Sequence, residues 1–241
     1  MRDYKKELEN RVAFIQKVVA GAKVKGIVFA NSGGKDATLT GILCKKACVD
    51  TVGVILPCGI KRNYGDDTNH ATLVGEQYDI QHRTVDLLPV RDALVQGLGD
   101  LSATSLAYIA SRLRMTAVYA IANSENRLVA GTGNRSEAYM GYFTKWGDGA
   151  YDFNPIGDLT VTEIFEFLRF LGAPEAVINK APSAGLFEEQ TDEKEMGLTY
   201  RSLDNFLLTG STDPADEAVI RRFHSNSEHK RRPPILFGDG Q

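Results

Sequence analysis

Apolar positions along the chain switch between two periods. Leu8, Val12, Ile15 and Val19 recur at helical spacing and place one stripe on a first helix, which Gly21 punctuates. The run "GIVFAN" at 26–31 is continuous enough for a buried strand, and residues 36–48 return to helical spacing. "TVGVILP" at 51–57 predicts a second strand, 66–78 a helix, and "QHRTVD" at 81–86 a third strand. A long helical stretch covers 102–124, and "RLVAGTG" at 127–133 is a fourth short apolar run ending in glycines. Strands alternating with helices predict βαβ crossovers, hence an α/β fold with a doubly wound parallel sheet and flanking helices. Beyond residue 155 the strands stop. "TVTEIFEFLRFLG", "TYRSLDNFLLTG" and "PADEAVIRRFHS" predict a helical C-terminal extension. No repeat or linker interrupts the pattern, so 1–241 reads as one domain.

Composition narrows the class. At 241 residues and 43% hydrophobic, the chain can bury a substantial core. A formal charge of -3 gives no general reason to expect nucleic acid or an anionic membrane as partner. No apolar run approaches the roughly 18 residues that span a bilayer, and the N-terminus leads into an amphipathic helix, so a soluble, cytoplasmic protein is expected. Three cysteines make no disulfide framework. Cys44 and Cys48 lack a nearby His for a zinc site, and Cys58, at a strand end, lacks an evident activating base.

Candidate chemistry begins where the first strand meets its helix, at "NSGGKDA". Helix N-termini carry unpaired N–H groups and about half a positive charge, and glycines let the backbone approach a phosphate. Ligands of parallel sheets bind outside the carboxyl ends of the strands, where both "NSGG" and "GTGN" fall. The loop is neither a Walker A motif, because Phe29 stands five before Gly34 and Asp36 follows Lys35, nor a G-x-G-x-x-G fingerprint. Ser-Gly-Gly-x-Asp resembles instead the pyrophosphate loop of adenylating ATP pyrophosphatases. By itself it is equally consistent with an ordinary strand-to-helix turn.

A second motif sharpens the resemblance. "GTGNRSEAYMGYFTKWGDGAYDFNPIGDL", Gly131 to Leu159, is similar to the signature of the ammonia-dependent NAD synthetase family, with "SRLRM" at 111–115, "KAPSAGLFEEQTDEKEMGLTYRSLD" at 180–204 and "SEHKRRPP" at 227–234 in agreement. That resemblance implies a ligase that adenylates the nicotinate carboxylate of deamido-NAD+ with ATP, releases pyrophosphate, and lets ammonia displace AMP to give NAD+. It implies Mg2+ as cofactor, a homodimer, and free ammonia as nitrogen source, since no glutaminase region is seen.

Site residues follow from the same match. Ala30, Asn31, Ser32, Gly33, Gly34, Lys35, Asp36 and Ala37 would form the ATP loop, with Thr132 and Ser183 as further ATP contacts. Asp36 and Glu137 would be the catalytic metal carboxylates; for Glu137 the plain alternative is a helix-start acid. Arg112, Lys145, Asp152, His229 and Lys230 would grip the dinucleotide, with Arg114 an alternative to Arg112 and either arginine open to a surface role. Trp146 could stack on a base or simply pack. The 102–124 helix is the interface candidate, although burial within one subunit gives the same pattern.

Two departures bear on activity. Ala37 stands where the family usually has Ser, and Val161 where it usually has a phosphate-binding Lys; Ser183 keeps the hydroxyl of the usual Thr. Lys35, or another lysine, is the expected compensating cation. Uncompensated, the losses point to an impaired or non-catalytic nucleotide-binding relative; a different adenylating pyrophosphatase is the third reading, which the "FTKWGDG" block opposes.

Overall fold

A computed structural model describes residues 2–59, 61–180 and 191–237. Four strands, β1 (Gly26–Ala30), β2 (Thr51–Ile55), β3 (Gln81–Thr84) and β4 (Arg127–Val129), form one sheet in the order β3-β2-β1-β4 among the described residues. All pairings are parallel, with Val28 opposite both Val52 and Val129. The chain steps outward from β1 to β3, then crosses back to place β4 on the other side of β1. The reversal creates a crevice at the carboxyl ends of β1 and β4, which fixes where a ligand can enter.

The sheet is covered on both faces, as continuous apolar runs require. On one face Ile27 and Phe29 of β1 pack with Ile15 of the Tyr4–Ala22 helix, Leu39 and Ile42 of the Lys35–Ala47 helix, and Phe167 of the Val161–Leu171 helix. On the other face Val28 and Val129 meet Ala110, Val118 and Ala122 of the Ala103–Glu125 helix. The alternation along β1 is the two-residue period of a strand. A third apolar cluster, with Met140, Val161, Met196, Tyr200, Leu203 and Ile220, joins the C-terminal helices Tyr200–Thr209 and Pro214–Asn226 to the body.

Most predicted elements fall within a residue or two of the observed ones, and two differences are informative. Gly21 lies inside the first helix, which ends at Ala22 with Lys23 in the left-handed conformation (φ 56°) as its cap. The Leu88–Leu98 helix was not predicted: none of its residues is buried, and Val90, Leu94 and Leu98 are exposed. The Ala103–Glu125 helix buries Ala107, Ala110, Ser111, Val118 and Ala122 within this chain. Intrachain packing therefore accounts for much of its apolar pattern. No described helix is long and apolar enough to cross a membrane.

Candidate active site

Where β1 ends, Asn31 to Gly34 turn the chain into the Lys35–Ala47 helix. Asn31 Oδ1 accepts from the Gly33 N–H (3.2 Å) and Ser32 Oγ from the Gly34 N–H (3.3 Å), so the loop holds its shape with its own side chains. Gly34 is the helix cap and no side chain caps its first turn, which leaves the N-terminal N–H groups facing the crevice. Gly33 has φ +66°, and a Cβ there would stand 2.1 Å from the Asp67 carbonyl oxygen.

Opposite the loop, Asn134 starts the Arg135–Met140 helix with a capping box: its Oδ1 accepts from the Glu137 N–H (3.0 Å) while Glu137 Oε2 accepts from the Asn134 N–H (3.1 Å). Asn134 Nδ2 also donates to Asp36 Oδ1 (3.0 Å). One buried amide thus holds together two carboxylates that are far apart in sequence. The helix carrying Glu137 is fixed from behind by Asp204, which accepts from Ser136 Oγ (2.6 Å) and from the Thr162 N–H and hydroxyl (2.7 Å each).

Between the carboxylates lies Lys35, whose Nζ is 2.7 Å from Asp36 Oδ2 and 3.8 Å from Glu137 Oε1. Burial would lower the Lys35 ammonium, but Asp36, Glu137 and Asp192 outweigh it and hold the group above its ordinary value. Glu137 is pushed well above the usual carboxylate range, first by burial and then by Asp36. The Tyr200 hydroxyl, raised by burial and by Glu137 and Asp192, donates to Asp192 Oδ2 (2.8 Å).

Lys35, Asp36, Glu137 and Asp192 line a cavity of about 650 Å³. Its other wall comes from the β2 end. There Arg114 donates to the Leu56 carbonyl and to Asn63 Oδ1 (3.0 Å each), and Asp67 accepts from Asn63 Nδ2 (2.8 Å) and Lys180 (2.6 Å). Burial lowers the pKa of Arg114. Ser111 donates to Asp148 Oδ1 (2.6 Å) on the same wall.

The expected site residues divide. Ala30, Asn31, Ser32, Gly34, Lys35, Asp36 and Ala37 line the cavity together with Thr132, Glu137 and Lys230. Lys230 donates to the Gly141 and Phe143 carbonyls (2.9 Å each), and burial lowers its pKa. Arg112, Lys145, Asp152 and His229 lie off the cavity wall. Lys145 Nζ donates to the His229 (2.5 Å) and Arg232 (2.8 Å) carbonyls, Arg112 to the Lys145 carbonyl, and Asp152 accepts from the Val129 N–H (2.7 Å) and the Tyr119 hydroxyl (3.1 Å). Arg114, not Arg112, reaches the cavity. Trp146 is 58% exposed, so it is not a core residue. Ser183 lies outside the described residues.

Sequence reasoning gave no role to Asn134, Asp67, Asp192 or Tyr200. The N-x-x-E spacing of a capping box could have singled out Asn134. The Asp67–Lys180 pair carries no local signal.

Val161 is only 2% exposed, packed with Met140, Met196 and Tyr200 instead of opening on the cavity. Val161→Lys is therefore expected to overpack this cluster at a cost of about 2 kcal/mol, lowering Tm by roughly 4–8 °C without improving ATP use. A thermal melt and an ATP titration check this; an unchanged Tm with a lower ATP KM would refute it.

A family profile described as NAD synthase matches residues 7–234. The chain belongs to the NAD synthase family. The NH(3)-dependent NAD(+) synthetase of Carboxydothermus hydrogenoformans is 41% identical over 238 residues, covering 96% of this chain and 97% of that protein. Among solved structures of similar fold, the NMN synthetase from Francisella tularensis superposes with a TM-score of 0.91 at 33% identity, covering 98% of this chain and 99% of that one. The NH3-dependent NAD synthetase from Campylobacter jejuni gives 0.81 at 28% identity, covering 98% and 99%.

Proposed function

We infer that this NAD synthase family chain is an ammonia-dependent ligase that amidates deamido-NAD+ at the expense of ATP. The observation that carries the reading is the Asn134 bridge, which sets Asp36 of the phosphate loop beside Glu137 at the switch point of the sheet. Loop N–H groups and Lys35 receive the β- and γ-phosphates, leaving the α-phosphorus toward the rest of the cavity. A nicotinate carboxylate oxygen bonds to that phosphorus as the bond to the bridging oxygen breaks, and pyrophosphate departs. Ammonia then bonds to the acyl carbon, AMP leaves with the former carboxylate oxygen, and the amide nitrogen releases a proton.

Asp36 and Glu137 fit Mg2+. They are hard oxygen donors, and the upward push that each negative neighbour gives Glu137 is what a cation relieves. When bound, Mg2+ would neutralise charge on the phosphate oxygens. The remaining work belongs to the chain: the loop orients the triphosphate, and Asn134 and Asp204 fix the acidic helix.

A homodimer is supported by the Leu88–Leu98 helix, whose Val90, Leu94 and Leu98 are left uncovered by this chain. A single domain from 1 to 241 suits the near-complete coverage of relatives named as NH3-dependent. Purified protein with ATP, Mg2+, deamido-NAD+ and ammonium should form NAD+ and AMP in equal amounts. Glutamine in place of ammonium should give less than about one-tenth of that rate, because no described cysteine lines the cavity to act as the nucleophile of an amide hydrolysis. Equal rates with ammonia-free glutamine would overturn the nitrogen assignment.

A second reading concerns substrate length. The strong likeness to an NMN synthetase, with Arg112, Lys145, Asp152 and His229 held off the cavity wall, favours nicotinate mononucleotide as an alternative acceptor. The ratio of kcat/KM values for the mononucleotide and for deamido-NAD+ decides between them.

A further inference from the structure

Lys35 is placed against the ordinary rules for its position. A cation in the first turn of a helix opposes the helix dipole, and a buried ammonium forfeits its hydration. Yet its side chain is only 5% exposed and its Nζ meets Asp36 Oδ2 at 2.7 Å and Glu137 Oε1 at 3.8 Å, with the Tyr200 ring centroid 5.7 Å away. Asp36 Oδ1 is engaged by Asn134 and Glu137 Oε2 by its own helix cap, so the oxygens that meet Lys35 are those left for a cation.

We propose that Lys35 is a tethered cation that occupies the metal position of the nucleotide-free site and transfers to the pyrophosphate oxygens when ATP and the divalent ion enter together. The inference rests on the reading of Asp36 and Glu137 as the metal pair. It explains how two carboxylates are held close to one another in a buried site before any ion arrives. It also makes metal and nucleotide binding interdependent. A divalent ion alone must displace the ammonium from both carboxylates, whereas a triphosphate offers that ammonium new oxygens. Because Val161 supplies no charge, Lys35 becomes the cation from the loop side that follows the leaving group.

Mn2+ alone is the probe, its free concentration followed by electron paramagnetic resonance, with and without an ATP analogue carrying a methylene bridge between the α- and β-phosphorus. The parent should bind Mn2+ weakly without the analogue and much more tightly with it. Lys35→Met should tighten binding of Mn2+ alone by about tenfold and flatten the enhancement by the analogue, while raising the ATP KM by a similar factor. Lys35→Arg, which keeps the charge, should keep binding of Mn2+ alone weak, as in the parent; Lys35→Gln replaces Lys35→Met if the latter fails to give a cooperative melt. Equal Mn2+ affinity and equal enhancement in parent and Lys35→Met would overturn the tethered cation, as would Lys35→Arg behaving like Lys35→Met. Tight Mn2+ binding that survives Asp36→Asn in the Lys35→Met background would instead place the ion elsewhere and overturn the reading of the metal pair itself.

Discussion

Asp36→Asn and Glu137→Gln should each cut AMP release by about three orders of magnitude or more, while the purified proteins stay folded. Both changes keep the side-chain size and delete a charge that would hold the ion on the departing pyrophosphate. Near-normal turnover in either folded variant would remove the metal pair from the mechanism. The two substitutions should part company in stability. Glutamine at 137 can still accept from the Asn134 N–H and complete the capping box, but it no longer buries a charge beside Asp36. Burial and Asp36 raise the pKa of Glu137 in the fold, so the protein favours its protonated form and loses that preference as pH rises above the unfolded value of about 4.3. With a chelator present, Glu137→Gln should therefore melt roughly 2–4 °C above the parent at neutral to alkaline pH, and the gap should close toward acid pH. A gap that widened on acidification would contradict the assigned cause.

Gly33→Ala carries the second large effect. The residue sits at φ +66°, where a Cβ costs about 1–2 kcal/mol, and that Cβ would lie 2.1 Å from a backbone oxygen of Asp67. Backbone cannot yield as the end of a side chain can, so the loop or the Asp66–Tyr78 helix must shift. Either shift moves the Gly34 N–H and opens the wall that Asp67 shares with Lys180. ATP use should fall by roughly two orders of magnitude, and Tm by about 6–10 °C, for an expected cost near 3 kcal/mol. Gly34→Ala is the control: its nearest neighbour to a new Cβ is Ser32 Oγ at 3.3 Å, a side-chain atom that can rotate, and its φ is ordinary. Matching losses in the two variants would show that the Asp67 contact is not what limits position 33.

What the sequence made legible follows from locality. β1, β2 and the helices after them were readable because buried strands are short apolar runs and the helices each show a stripe against the sheet. The Leu88–Leu98 helix was not, because Val90, Leu94 and Leu98 are exposed and none of its residues is buried, which leaves no buried stripe to find. The glycine loop and Glu137 were readable as motifs, and their convergence followed from the parallel sheet. Choosing between Arg112 and Arg114 was beyond periodicity: two residues apart on a helix, they point to different sides, and only the path of β2 shows that Leu56 and Asn63 await Arg114. Val161 looked like a lost phosphate ligand in the motif, whereas packing shows a position already filled by its neighbours.

Asn134 touches no reacting atom, yet its amide and backbone serve both the start of a helix and the spacing of two acids. Local folding and chemical readiness are therefore one event at this corner, drawing on the same three hydrogen bonds. A scan of variants scored only by turnover would rank Asn134 among the groups that perform the reaction. Scored by resistance to proteolysis, the same variants would place it among the residues that merely begin a helix, and both rankings would be reporting a single hinge between sequence and catalysis.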